Sequence, residues 1–166
     1  GTAVTLSATA ATGSTFTGWS AAGCPGTGPC TVTMNADTTV TANFAINTYT
    51  LTVNATNGTV TKNPDQLTYD HGTSVELTAT PSTGYHFVDW TGDITGSVNP
   101  SSITMDKNKT VTANFAINTY TLTYTADANG FITGTSIQTI NHDSDGTSVI
   151  AVANIGYHFV NWSDGI

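Results

Sequence analysis

The stretch TVTANFAINTYTLT occurs twice, at residues 39–52 and 110–123, a separation of 71 residues. No other feature constrains the fold as tightly. A repeat of this length is one small supersecondary unit, and such units bury their apolar faces against themselves and their neighbours. Further counterparts extend the pattern. GTAVTL (1–6), GTSVEL (72–77) and GTSVIA (146–151) correspond, as do GSTFTGW (13–19), GYHFVDW (84–90) and GYHFVNW (156–162). Three imperfect repeats follow: residues 1–44 as the C-terminal part of repeat 1, 45–115 as a complete repeat 2, and 116–166 as the N-terminal part of repeat 3. A chain that starts and ends within a repeat, and opens on Gly rather than Met, reads as a segment of a longer array or a mature product.

Within repeat 2 the apolar residues alternate with polar ones. Tyr49, Leu51 and Val53 share one strand face; Val75, Leu77 and Ala79 share another; Ile103 with Met105, and Val111, Ala113 and Phe115, continue the pattern. Asn57-Gly58 is a tight-turn signal. Pro81, Gly84, Gly96 and Pro100 punctuate the rest. This predicts five or six short strands per repeat and an all-β chain. NFAINTYTL, free of Gly and Pro, predicts an uninterrupted strand from one repeat into the next, and so a semi-rigid rod. A unit of about 71 residues is marginal alone, so neighbouring repeats are the first expected partners.

Composition agrees. Charged residues are 8% of the chain, against about 25% in ordinary globular proteins. There is no Arg, Lys occurs only at 62, 107 and 109, and the formal net charge is −8. A phosphate-tracking groove for nucleic acid is therefore not expected, nor attraction to anionic membrane surfaces. No apolar run approaches the length that spans a membrane. Thr supplies much of the polarity and suits strands through its β-branched side chain. Glu76 is the only Glu, and no segment reads as a helix of more than a turn or two.

Cys24 and Cys30 bracket PGTGP, and repeat 2 has Thr95 and Ser101 in their places. Two Cys that come and go together, with no His nearby, predict a disulfide rather than a zinc site. A disulfide implies an oxidising compartment: secreted, periplasmic or at the cell surface.

The segment GWSAAGCPGTGPCTVTMNADTTVTANF resembles the divergent internalin-type B-repeat family of bacterial surface and secreted proteins. The family's pattern is a Gly-aromatic strand ending in Gly-Trp, a Gly-rich loop sometimes held by two Cys, then a Thr-Val-Thr-Met segment leading to a final Phe. It falls here on Phe16, Trp19, Cys24, Cys30, Met34 and Phe44, on Phe87, Trp90, Met105 and Phe115 in repeat 2, and on Phe159 and Trp162 in repeat 3. The resemblance implies small β-grasp-like units, here without a clear helix, strung in tandem on extracellular proteins as stalks, spacers or adhesion modules. Asp89 and Asn161 depart from the Gly that usually precedes the Trp.

Candidate chemistry is sparse. GYHFVDW combines His, Tyr and an acid, yet repeat 1 has Ser14, Thr15 and Gly18 where repeat 2 has Tyr85, His86 and Asp89. Only Gly, Phe and Trp persist, which favours a structural signature of core Phe and buried Trp over a site. The alternative is a carbohydrate-binding module on a secreted enzyme, with Tyr85, His86, Tyr157 and His158 as ligand contacts. Phe87 and Trp90 lie three apart, so a regular strand would put them on opposite faces unless a bulge intervenes. Asn141, Asp143 and Asp145 match the first half of a calcium loop, but Val152 stands where the bidentate Glu belongs, and an Asx-rich turn fits better. No catalytic triad or carboxylate pair across a cleft is discernible, and no cofactor is implied. Polymerisation into filaments and contact with a surface glycan complete the expected partners.

Overall fold

The computed structural model describes residues 1–21 and 23–163. Among these there is no helix, and the chain is all-β. It divides into two compact units, one of Gly1–Ala55, Val60–Ala79 and Asp89–Asn114, the other of Thr56–Thr59, Thr80–Val88 and Phe115–Ile166.

Repeat 1 contributes β1 (Ala3–Leu6), β2 (Ser14–Trp19), β3 (Cys30–Thr33) and β4 (Ala42–Ile46). Strands β1 and β3 pair antiparallel, with Ala3 opposite Thr33 and Leu6 opposite Cys30. Strands β2 and β4 also pair antiparallel.

Repeat 2 contains β5 (Thr48–Tyr49), β6 (Leu51–Ala55), β7 (Gly58–Asn63), β8 (Tyr69–Asp70), β9 (Ser74–Pro81), β10 (Tyr85–Gly92), β11 (Ser101–Thr104) and β12 (Lys109–Ile117). One sheet has the order β10-β12-β6 and a second the order β11-β9-β7, while β5 pairs with β8. The β12–β6 pairing is parallel, with Lys109 opposite Leu51 and Ala113 opposite Ala55. Asn57 takes the left-handed conformation, φ 66°, as the turn signal requires. The turn does not close a hairpin, however, because β6 and β7 belong to different sheets.

Repeat 3 contributes β13 (Thr119–Thr123), β14 (Gly130–Thr133), β15 (Ile137–Asn141) and β16 (Ile150–Ala153). Here β13 pairs with β15 and β14 with β16, both antiparallel.

Eight strands in repeat 2 exceed the expected five or six. One extra strand arises because TYTLTVNA breaks at Thr50 and changes partner, from β8 to β12, and another is β8 itself. Thr50 N–H donates to Asn108 Oδ1 at 2.9 Å and its carbonyl accepts from Lys109 N–H at 3.0 Å, so the break leaves no backbone group unpaired. The uninterrupted strand expected through NFAINTYTL is likewise broken, at Asn47 and again at Asn118.

The core lies in the first unit. Trp90, Tyr69, Leu77, Met105, Val75 and Val111 are its largest fully buried side chains. These are the in-facing positions of the alternating segments, and each buried Val or Leu contributes roughly 1.5–3 kcal/mol through removal from water. Several side-chain amides and hydroxyls brace the backbone. Tyr69 Oη donates to Pro64 O and accepts from Gln66 N–H. The Asn99 carboxamide makes a reciprocal pair with the Ala79 backbone, at 2.9 and 2.8 Å, standing in for a neighbouring strand. In the second unit the buried Gln138 does the same for Thr147 and also donates to Thr135 O.

Two side-chain expectations need correction. The repeated Phe are not fully buried: Phe16, Phe87 and Phe115 are half-buried, and Phe44 and Phe159 are exposed. Trp90 is 1% exposed, as a core Trp should be, whereas Trp19 is only half-buried. The repeat 1 counterparts of the core residues Met105 and Val111 are also less buried, Met34 being exposed and Val40 half-buried.

Truncating Leu77 to Ala is expected to cost about 2–5 kcal/mol, since it leaves a cavity in a closed core. Leu67→Ala, at a side chain 94% exposed, is expected to change stability by no more than about 0.5 kcal/mol. Denaturant unfolding of both variants checks the assignment.

Candidate functional site

The Gly-Phe-Trp strand combines a bulge with an anchored loop. In β2 the register runs Phe16 opposite Phe44, then Gly18 opposite Asn43, so one extra residue is inserted between them. Gly18 adopts φ 138° there. The bulge resolves the three-residue spacing of Phe and Trp by bringing both rings together: Phe16 and Trp19 meet edge to face at 4.9 Å between centroids. Phe159 and Trp162 make the same contact at 5.5 Å. Across the strands, Phe16 faces Phe44 and Phe87 faces Phe115.

Trp19 and Trp90 each hold the loop that follows. Trp19 Nε1 donates to Gly28 O and Trp90 Nε1 to Val98 O, both at 2.9 Å. In repeat 1 the same loop is closed by the Cys24–Cys30 disulfide, with both Cys buried and their Cα atoms 5.2 Å apart. In repeat 2 the bridge is replaced by a Trp90–Gly96 backbone bridge and by Asn99. The loop's far side is tied by a polar side chain in both repeats. Ser20 Oγ accepts from Thr41 N–H, and Asp93 Oδ2 accepts from Thr110 N–H, each at 2.8 Å.

The second recurring arrangement centres on Asn47 and Asn118. Asn47 N–H donates to Gly13 O, and Asn47 O accepts from His71 N–H, both at 2.8 Å. Asn118 repeats this with Gly84 at 2.7 Å and His142 at 2.8 Å. The Asn side-chain oxygen is engaged as well: Thr15 Oγ1 donates to Asn47 Oδ1 at 2.6 Å, and His86 Nδ1 to Asn118 Oδ1 at 2.8 Å. Thr15 and His86 occupy equivalent positions, so a hydroxyl and an imidazole perform one task. The rings of His71 and His142 lie directly over Gly13 and Gly84, where any Cβ would overlap them. Tyr49 flanks His71 and Tyr120 flanks His142, at 6.0 and 6.2 Å between centroids. His71 Nδ1 is buried without a hydrogen-bond partner.

The remaining candidates are placed as follows. Tyr85 is half-buried, while His86, Tyr157 and His158 are exposed. Tyr157 and His158 line a cleft of about 790 Å³ in the second unit, together with Phe131, Val152, Phe159 and Trp162. Asn141 and Asp143 form a turn in which Ser144 N–H donates to Asn141 O at 3.0 Å and Asp143 has φ 54°. Asp143 faces His142 at 3.3 Å and is strongly exposed, and Asp145 is exposed. Among the described residues no group of three or more His, Cys, Asp or Glu converges on one point.

Ion pairs are few and superficial. The Thr110 backbone N–H, followed by Lys107 at 3.2 Å, holds the Asp93 carboxyl below its ordinary value, and the Lys109 ammonium does the same for Asp106. The Asp65 carboxylate, 2.9 Å away, raises Lys62.

Sequence reasoning missed Asn47, Asn118, Gly13 and Gly84 as a unit, and missed Asn99 and Gln138 as bracing amides. A signal was present for the first set, because Gly, Asn and His recur with the same 71-residue offset (13/84, 47/118, 71/142).

A tandem array of small all-β repeats is the class these observations define: a Trp-anchored loop and a Gly-Asn-His contact, each recurring at the repeat period. The chain belongs to the divergent InlB B-repeat family, whose profile matches it three times in succession, at residues 1–48, 49–119 and 120–166. Among curated proteins and solved structures, none matches the chain.

Replacing Cys24 and Cys30 by Ser is expected to lower stability by about 2 kcal/mol, the closure entropy of so short a loop; thermal unfolding with and without reductant reads it. Asp93 contributes its stabilisation fully above the ordinary carboxyl value of 3.8 and loses it as pH falls through the depressed folded value. Asp93→Asn should therefore flatten the acid limb of the stability profile below about pH 4, and an unchanged acid limb would sink this assignment.

Proposed function

We propose that this chain is a non-enzymatic, extracellular repeat segment of a larger bacterial surface or secreted protein, serving as stalk, spacer or adhesive fibre. The observation that carries the reading is what recurs at the repeat period. In repeats 1 and 2 the persistent groups, Gly, Phe, Trp and the junction Asn, make internal contacts. The strand histidine is exchanged, as in Thr15 for His86, and the recurring His71 and His142 serve an internal contact over a glycine. Membership of the InlB B-repeat family supports a surface role, and a buried disulfide suits an oxidising compartment. The repeat boundaries best suited to this role are 1–44, 45–115 and 116–166.

Assembly into filaments is a variant of the same reading. In repeat 2, β6 is an outer strand of the sheet β10-β12-β6. An edge of this kind, without Lys or Pro to guard it, is a template for another strand.

The cleft beside Tyr157, His158 and Trp162 favours one second reading, carbohydrate binding, because several aromatic side chains line it. Titrating Trp fluorescence with a panel of soluble polysaccharides separates the two. The spacer reading expects no saturable change. A saturable change abolished by Tyr157→Ala would overturn it in favour of glycan binding. Electron microscopy of the same samples distinguishes single molecules from polymer.

A further inference from the structure

We propose that the glycine heading each Gly-x-x-Phe strand is the socket through which one repeat engages the next, and that the surface around Gly156 is the docking face for a further repeat of this type. The key is the following repeat's Asn, in an Asn-Thr-Tyr segment, together with its His. The inference goes beyond the spacer reading and holds whatever role the array serves.

Two occupied instances define the fit. In each, the glycine carbonyl accepts from the Asn N–H, the Asn carbonyl accepts from the His N–H, and the His ring covers the glycine Cα. Gly13 and Gly84 have φ 79° and 80°. Both are preceded by the same turn, Ser14 N–H to Ala11 O and Tyr85 N–H to Ser82 O at 3.0 Å. Repeat 3 carries this turn already formed: Gly156 has φ 89°, and Tyr157 N–H donates to Asn154 O at 3.0 Å. His158 stands where His86 and Thr15 donate to the junction Asn. Gly84 is buried under its His and Gly156 is exposed, and among the described residues nothing beyond its chain neighbours lies within 4 Å of where a Cβ would sit. The turn is thus shaped before any partner arrives, so docking a repeat there requires little reordering. The occupant this geometry fits is another repeat, because only that supplies an Asn backbone bridge and a ring at the matching offset.

The near-identity of φ at the three glycines gives the test an internal control. Gly84→Ala and Gly156→Ala impose the same backbone strain, but only the first meets a His ring. In the 166-residue chain, Gly84→Ala should lower the unfolding midpoint by roughly 5 °C more than Gly156→Ala. It should also strip hydrogen-exchange protection from the Asn118 and His142 amides. In a His142→Ala background the difference should shrink. In a chain where Trp162 is followed by a second pass of residues 91–166, Gly156→Ala should become as costly as Gly84→Ala. Equal shifts for the two glycines, or a Gly84→Ala cost that survives His142→Ala undiminished, would overturn the socket. A Gly156→Ala cost that does not rise in the extended chain would overturn the docking face.

Discussion

The crossing between ladders at each repeat junction depends on the backbone of one asparagine. A strand that leaves one ladder and joins another must keep its N–H and C=O groups paired as it crosses, because an unpaired buried amide costs about as much as a lost hydrogen bond. Asn47 and Asn118 solve this by donating backward to a glycine and accepting from a histidine ahead. Their carboxamides take a third bond, from Thr15 or His86. The strand break is therefore a transfer between ladders, and the glycine follows from it. With His71 or His142 lying on the glycine's Cα, no larger residue fits.

The Trp is the second fixed point. Its indole occupies the centre of the repeat 2 core while its N–H reaches the next loop. An aromatic body with one polar edge suits this double task. Repeat 1 keeps the N–H bond although it buries the ring less. Loop closure itself varies: a disulfide in repeat 1, an Asn carboxamide and a backbone bridge in repeat 2. Repeats thus diverge where closure can be achieved in several ways, and stay alike where geometry admits one residue.

Much of the fold was legible because burial follows period-2 alternation. Val75, Leu77 and Ala79, then Val111 and Ala113, fall buried as their pattern implies. The disulfide was legible from the paired exchange of Cys24 and Cys30. What was not legible is partner choice. Nothing in TYTLTVNA marks Thr50 as the place where one sheet hands over to another, and Asn57-Gly58 signals a turn without saying which sheets it joins. The His also misled: a titratable residue draws attention as chemistry, whereas His86 serves as a hydrogen-bond donor that Thr15 replaces. The ring of His71 acts through its shape and place above Gly13, with Nδ1 unpaired.

The Cys24–Cys30 bridge also sets a length. Six residue steps drawn taut span roughly 20 Å, yet the bridge holds their ends 5.2 Å apart. About 15 Å of chain is thereby withheld from any pull applied along the backbone, in repeat 1 alone. A reductant would release it without adding a residue, so the reach of this segment under load is partly a matter of thiol chemistry.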